Sequence, residues 1–282
     1  MRPGDQRSVR GEWSAGGITR IGAIRNADLR ARSEFAAGLA RDAGALARRF
    51  FRDPAMTIDF KAPRDIVTSA DHAVDRLIAD RLAAAFPNDG RISEESVGAE
   101  AAGLWVIDPI DGTANFARGI PHFAVSIAFC LDGRTEIGAV YDPMGDELFI
   151  ARHGHGAQRN GAPIHVSAVT QPAAALVELG YSPNRPAAEY VGLLNRLLTA
   201  GYAFQQAGSA ALGLAYVADG RIDAYFESSL HAWDVLAGLL FVREAGGWTN
   251  DFPTRGRIAE ARAVLASAPG LTEPLRRLTG IG

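Results

Sequence analysis

WVIDPIDGTANF, residues 105–116, carries an apolar run, Trp105-Val106-Ile107, straight into Asp108, with Asp111, Gly112 and Thr113 close behind. Single aspartates at strand ends and turns commonly cap backbone N–H groups. Two of them, linked through Pro109, which offers no N–H, and followed by a glycine that permits close backbone approach, suit a cation better. Thr113 is then placed to open a short helix, whose N–H groups suit an anion. Carboxylates beside an anion need a cation between them. Hard divalent ions such as Mg²⁺ take oxygen ligands and keep a substrate phosphate among them. The stretch therefore reads as metal plus phosphate.

Upstream, Phe35, Leu39, Leu46 and Phe50 recur at helical spacing over residues 27–52, and Pro54 follows. A second helix is expected from Ser69 to Phe86, with Val74, Leu77, Ile78 and Leu82 on one face and Pro87 as its stop. The intervening FKAPRDIVTSAD is too irregular for a helix. From residue 91 the period changes to short apolar runs at 104–108, 124–131, 135–141 and 147–151. Asp132-Gly133 joins two of them as a hairpin and Asp142 to Asp146 joins the next pair, so an antiparallel meander is expected. From about 173 strand-like and helix-like stretches alternate: ALVEL, a helix near 187–200, YAFQQ, a helix from Ser209, RIDAYFE, a helix from Trp233 to Ala245, AVLAS and a C-terminal helix. The first half reads as α+β and the second as α/β. A boundary near SAVTQP divides residues 21–168, with the antiparallel sheet and most metal ligands, from residues 169–282, with the substrate residues.

The bulk numbers frame this. At 282 residues, 48% hydrophobic and 22% charged, the chain can build a sizeable globular core. A net charge of −3 provides no basic footprint, so no nucleic-acid partner is expected. No apolar run reaches the roughly 18 residues a bilayer span needs, and the N-terminus lacks a signal-peptide core, so a cytoplasmic protein is expected. The single cysteine, Cys130, lies in the apolar run 124–131 and reads as buried filler. Residues 1–20, rich in Gly, Arg and Ser, read as a flexible tail.

Two phosphatase chemistries use an apolar strand ending in such a motif. Haloacid-dehalogenase-type enzymes carry Asp-x-Asp-Gly-Thr with a nucleophilic first Asp; here the spacing is Asp-x-x-Asp-Gly-Thr, and their downstream Gly-Asp-x-x-x-Asp is absent. Asp108-Pro109-Ile110-Asp111-Gly112-Thr113-Ala114-Asn115-Phe116 instead resembles the signature of the inositol monophosphatase family. Ile92-Ser93-Glu94-Glu95-Ser96 resembles that family's Gly-Glu-Glu-Ser element, and Trp233-Asp234-Val235 with Glu244-Ala245-Gly246-Gly247 resembles its second signature. Asp65 to Asp71 and Gly208-Ser209-Ala210-Ala211 also match, in order, between about 61 and 251. The resemblance implies a layered αβαβα sandwich of the inositol monophosphatase / fructose-bisphosphatase type.

It further implies Glu94, Asp108, Asp111, Asp234 and the carbonyl of Ile110 as ligands to two or three Mg²⁺ ions. Asp71 and Thr113 would orient and deprotonate the attacking water, Gly112 and Thr113 N–H groups would hold the phosphate, and no covalent phosphoenzyme would form. For Asp71 and Asp234, helix capping is the plain alternative. Lys61 resembles a basic residue near the family's site; the alternative is a solvated lysine. Glu95 would play a supporting part. Ser93 stands where the family usually has Gly, and Tyr181 stands where smaller polar residues are common, which reshapes the substrate mouth.

Substrate choice rests on fewer residues. Glu227 matches the position whose carboxylate contacts inositol hydroxyls, and Ala210 N–H would be a second contact; pairing of Glu227 with Arg221 is the alternative. These favour inositol 1-monophosphate. Histidinol phosphate is the runner-up, ahead of fructose 1,6-bisphosphate, for whose second phosphate Arg185 is the one nearby cation, and 3′-phosphoadenosine nucleotides. A phosphatase fold kept only as a binding scaffold is the rival from another class. The family resemblance also implies lithium sensitivity and a homodimer.

Overall fold

The computed structural model describes residues 26–62, 65–96, 98, 101–254 and 258–281. The tail expected over residues 1–20 and the side chain of Lys61 lie outside the described residues.

Helix α1 (Asn26–Phe50) buries Ala36, Leu39, Ala40, Ala43 and Ala47, a helical stripe of mostly small side chains that lets it approach its neighbours closely. Strands β1 (Ile58–Ala62) and β2 (Asp65–Thr68) pair antiparallel where the sequence reads only as irregular. Four-residue strands on a lone hairpin carry too little alternation to be seen in advance. Helix α2 (Ser69–Ala85) follows at once, capped by Thr68, and turns Val74, Ile78 and Leu82 inward.

Next come β3 (Gly90–Ser93), β4 (Gly103–Asp111), the single turn α3 (Thr113–Ala117), β5 (Ala124–Leu131), β6 (Arg134–Asp142), β7 (Glu147–Arg152), β8 (Ala157–Arg159) and β9 (Ala162–Pro163). Their strands form one sheet in chain order; β3 runs parallel to β4 and every other neighbouring pair is antiparallel, as the meander predicted. The β5–β6 turn places Asp132 at φ 50° and Gly133 at φ 82°, the left-handed pair that a tight hairpin demands.

The rest of the chain supplies β10 (Leu176–Leu179), α4 (Ala187–Thr199), β11 (Ala203–Gln205), α5 (Ala210–Ala218), β12 (Ala224–Leu230), α6 (Ala232–Glu244), β13 (Trp248–Thr249), β14 (Arg262–Ser267) and α7 (Thr272–Thr279). The second sheet has the order β11-β10-β12-β14-β13. The first three strands are parallel, as the alternation implied, but β14 is antiparallel to both its neighbours.

Side-chain alternation then sorts the layers. On β4, Trp105 and Ile107 pack with α1 and α2, while Leu104 and Val106 pack with α5 and α6. On β12 and β14, Tyr225, Val264 and Ala266 face α5 and α6, while Ala224, Phe226 and Leu265 face Leu193, Leu197, Leu271 and Leu275 of the α4–α7 side. Helix pair, sheet, helix pair, sheet, helix pair: this is the αβαβα sandwich. Helices α5 and α6 are apolar nearly all round because they lie between two sheets. Cys130 is buried in this core, its thiol pushed up to about 12 by desolvation, so it is filler and not a nucleophile.

Gly138 of β6 sits where α6 crosses: a Cβ there would lie 2.8 Å from the Ala237 carbonyl oxygen and 2.9 Å from its Cα. Backbone cannot yield as a flexible side chain does, so Gly138→Ala is expected to lower unfolding free energy by about 1–3 kcal/mol in urea titrations. An unchanged midpoint would mean that the central layer is not packed this tightly.

Candidate active site

The site forms where β4 stops being regular. Pairing between β4 and β5 shifts register between Asp108 and Asp111: both aspartates stay paired, with Ser126 and Ala124, while Pro109 and Ile110 between them drop out of the ladder. Gly112, at φ 97°, then reverses the chain into α3. A Cβ on it would crowd the His122 and Gly208 carbonyl oxygens at 3.1 and 3.2 Å, so glycine is required on both counts.

Asp108, Asp111 and, from the start of α6, Asp234 offer oxygens that all lie within 4.8 Å of one another. Each is anchored by hydrogen bonds that fall on one oxygen. Ile110 N–H donates to Asp108 Oδ1 (3.0 Å) and His231 N–H donates to Asp234 Oδ2 (2.7 Å). Ser209 Oγ, the N-cap of α5, and Ala211 N–H (2.9 Å) both donate to Asp111 Oδ2. Burial drives all three carboxyls up from the usual range of 3.8, and mutual repulsion with Glu94 adds to it; Asp111 is pushed up to about 7. Among the described residues no Lys or Arg forms an ion pair with any of the three. Such an all-oxygen, uncompensated donor set fits hard divalent cations. The carbonyl of Ile110 lies between two of these aspartates in sequence and accepts from Thr113 Oγ1 (2.9 Å), keeping a second lone pair.

Asp71 lies beside this cluster and is 1% exposed. Thr68 N–H (2.8 Å) and Thr68 Oγ1 (2.6 Å) donate to its Oδ2, completing a capping box. Thr113 Oγ1 also lies 3.1 Å from its Oδ1, so the single hydroxyl proton is shared between this oxygen and the Ile110 carbonyl. Capping and chemistry therefore do not compete: one oxygen holds the helix start and the other meets the threonine. The same holds for Asp234, which completes a capping box on His231 while facing the cluster. Burial raises the Asp71 carboxyl, and the Thr68 bonds oppose the rise.

Glu94 stands on the turn after β3, with its N–H donating to Ile107 O (3.1 Å). Its charge raises Asp71, Asp108, Asp111 and Asp234 alike, which places it at the cluster's flank, outside the tight group of three. Ser93 keeps an ordinary backbone, so the Cβ that replaces the family's glycine is accommodated. Glu95 faces His72, the neighbour of Asp71, at 3.7 Å.

From the cluster a cleft of about 490 Å³ opens between the β12–α6 junction and the β10 loop, with Asp111, Asp234, Ala210, Tyr181 and Glu227 in its wall. Glu227 accepts from Ser182 Oγ (2.8 Å) and Tyr225 OH (2.7 Å), one on each oxygen. Arg221 is engaged instead with Glu147 and Asp219, so it does not neutralise Glu227. Gly180 backs this carboxylate; a Cβ there would fall 2.0 Å from Glu227 Oε2. Ala210 N–H bears on Asp111. Tyr181 packs edge-on against Tyr190 at 5.3 Å. Arg185 pairs with Glu189 and is not part of this cleft's wall.

Glu178 is a site residue that no motif marks in advance. It is buried on β10, lines the same cleft, and accepts from Gln205 Nε2 (3.0 Å) and Ala207 N–H (3.4 Å); desolvation pushes it up to about 7. An apolar strand with one embedded carboxylate is the only trace that ALVEL offers.

A model of the inositol monophosphatase family matches residues 28–279. The chain belongs to the inositol monophosphatase family. The chain is 43% identical over 219 residues to Nus factor SuhB of Salmonella typhimurium, covering 76% of this chain and 82% of that protein. It is 36% identical over 238 residues to the inositol-1-monophosphatase of Rhizobium meliloti, covering 83% and 90%. The crystal structure of extragenic suppressor protein suhB from Bartonella henselae superposes with a TM-score of 0.83 at 33% identity, covering 89% and 99%. The family is one of metal-dependent phosphatases, and the acidic cluster of this chain could hold a metal.

Raised carboxyls fix the sign of the pH dependence. Between about pH 4, where an unfolded Asp titrates, and about 7, where folded Asp111 does, the folded metal-free chain binds more protons than the unfolded one. Stability contributed by these groups is full below that window and falls as pH rises through it. Melting of chelator-treated protein should therefore drop between pH 5 and 7.5, and Mg²⁺ should raise Tm more at pH 7.5 than at pH 5. An equal Mg²⁺ effect at both would remove the cluster as the metal site.

Proposed function

We propose that this protein is a Mg²⁺-dependent phosphomonoester hydrolase whose substrate is a small polyhydroxylated alcohol phosphate, inositol 1-monophosphate first among them. The observation that carries this is the Thr113–Asp71 hydrogen bond directly beside the three-aspartate cluster. Hydrolysis by an activated water needs a proton acceptor, a relaying hydroxyl and a cation-binding acidic cluster in one place, and these residues provide all three.

Divalent cations bound there, two or three of them, would neutralise the carboxylates, hold the phosphate and lower the pKa of water. As the water oxygen bonds to phosphorus and the ester P–O bond breaks, Thr113 Oγ1 would take the water's proton and pass its own to Asp71 Oδ1, beside which it lies, and the leaving alkoxide would take a proton from solvent. Glu94, Asp108, Asp111, Asp234 and the Ile110 carbonyl serve as ligands. Gly112 and Thr113 N–H groups hold phosphate oxygens. Each Glu227 oxygen accepts one internal hydroxyl and keeps a lone pair for a hydroxyl of the substrate, with Ala210 N–H beside it. Lys61, Glu95 and Tyr181 border this arrangement. The protein acts as a cytoplasmic homodimer in this reading, with residues 21–168 and 169–282 as its two domains.

The decisive measurement is a kcat/KM panel over inositol 1-phosphate, histidinol phosphate, fructose 1,6-bisphosphate and 3′-phosphoadenosine 5′-phosphate. Inositol 1-phosphate should lead, with Li⁺ inhibiting. Glu178 beside Glu227 makes histidinol phosphate the strongest competitor, and its higher value would reverse the substrate assignment. Equal rates on all four would strip Glu227 of its role.

Thr113→Ala should lower kcat by about 10²–10⁴ with the fold intact. A covalent phospho-aspartate trapped on Asp108 would sink the water mechanism.

A second reading is supported by the name Nus factor that the Salmonella relative carries: a role of that kind alongside hydrolysis. Asp108→Asn separates the two. It should abolish hydrolysis, and complementation of a strain lacking the relative would reveal whether the other role survives.

A further inference from the structure

The turn that carries Glu94 has unequal support. Strand β3 is the edge of its sheet, held by β4 alone. Past its end, Ser93 N–H donates to Ser96 O (2.9 Å) and Gly98 N–H donates to Arg91 O (3.0 Å), so the turn is closed on itself. Glu94 N–H ties the turn's backbone to Ile107 O of β4 (3.1 Å); together these bonds set its shape and leave the rest of its tilt to side-chain contacts.

Those contacts come from α2. Asp75 is 8% exposed and reaches across from the helix to the turn. Arg91 Nη1 donates to Asp75 Oδ1 (3.0 Å) and to Ser96 Oγ (2.8 Å), and Ser96 Oγ donates to Asp75 Oδ2 (2.7 Å). The three side chains close a ring of hydrogen bonds, two of them assisted by the Arg91–Asp75 charge pair. Asp75 lies four residues after Asp71, on the same helical face. One rigid helix turn therefore presents Asp71 to Thr113 and Asp75 to the Glu94 turn.

We infer that Asp75, Arg91 and Ser96 are positioning residues that fix the Glu94 carboxylate at the metal cluster in register with the Asp71–Thr113 pair. The inference rests on Glu94 being a ligand, as proposed above. The ring touches neither Thr113 nor the three aspartates in any hydrogen bond described for it. Its effect reaches the reaction through the distance at which Glu94 is held. A loosened ligand costs metal affinity first, and supporting bonds of this kind are worth about 10- to 100-fold in metal binding.

The test compares wild type, Ser96→Ala, Ser96→Thr, Asp75→Asn and Glu94→Gln, each as the full chain. Mg²⁺ binding is read by calorimetry without substrate, and the Mg²⁺ dependence of turnover is read separately. Ser96→Ala should weaken Mg²⁺ binding about tenfold and raise the Mg²⁺ needed for half-maximal rate by the same factor, with kcat at saturating Mg²⁺ falling less than about threefold. Ser96→Thr keeps the hydroxyl and should restore binding; Asp75→Asn should weaken it at least as much as Ser96→Ala. If Glu94→Gln weakens binding while Ser96→Ala and Asp75→Asn do not, the positioning role is overturned and the ligand role stands. If Glu94→Gln also leaves binding unchanged, the ligand role itself fails. Should Asp75→Asn not fold, Ser96→Ala, which removes one oxygen and no charge, decides alone. A lowered melting temperature with unchanged Mg²⁺ binding would mark the ring as purely structural.

Discussion

Asp108, Asp111 and Asp234, which pair with no Lys or Arg among the described residues, are packed into a low-dielectric interior where they repel one another, and everything at this site answers to that repulsion. The three present oxygens within 4.8 Å of one another, with Glu94 adding its charge from the flank. Such a group survives folding only if it keeps protons or gathers cations. The backbone does not supply the compensation: each aspartate receives N–H or O–H donors, yet burial outweighs them and the carboxyls stay raised. The chain therefore folds around a charge debt that divalent ions are suited to settle.

The sandwich is what brings the debtors together. Asp108 and Asp111 come from a strand of the first sheet, Asp234 from a helix of the central layer, and Ser209, which anchors Asp111, caps the other central helix. Because α5 and α6 are clamped between two sheets, neither can drift relative to β4 without disturbing both cores. Close backbone approach at Gly138 and the small-residue stripe of α1 set the layer spacings that the carboxylates then inherit. Precision at the site is thus a property of packing several residues away from it.

How much of this was legible depends on the physical range of each signal. Period and punctuation located most helices and the meander to within a residue or two, because those patterns are local. Strand direction in the second sheet was not local: the alternation around AVLAS looked like its neighbours, but β14 turned out antiparallel. The β1–β2 hairpin escaped for want of length. At the site, the spacing of Asp108 and Asp111 was informative on its own, whereas Ser209 bonds Asp111 across 98 residues and leaves no mark at that distance. Glu178 and Tyr225 read as ordinary strand residues, since burial beside another carboxylate is a fact of the folded molecule only. For Asp71 and Asp234, capping and a place at the cluster are compatible, because one carboxylate oxygen caps the helix and the other faces the site.

That double use has an evolutionary consequence. Under the function proposed above, a descendant of this chain that lost hydrolysis while keeping its shape would find unequal paths open. Asp71 and Asp234 each begin a helix as well as serving the site, so replacing either uncaps a long helix and risks the whole scaffold. The anchoring bond of Asp108 is purely local, to the N–H two residues on. Erosion of activity in a lineage of this architecture is therefore biased to start at Asp108, while Asp71 and Asp234 linger as acidic relics, so their presence in a sequence is weaker evidence of a living enzyme than that of Asp108.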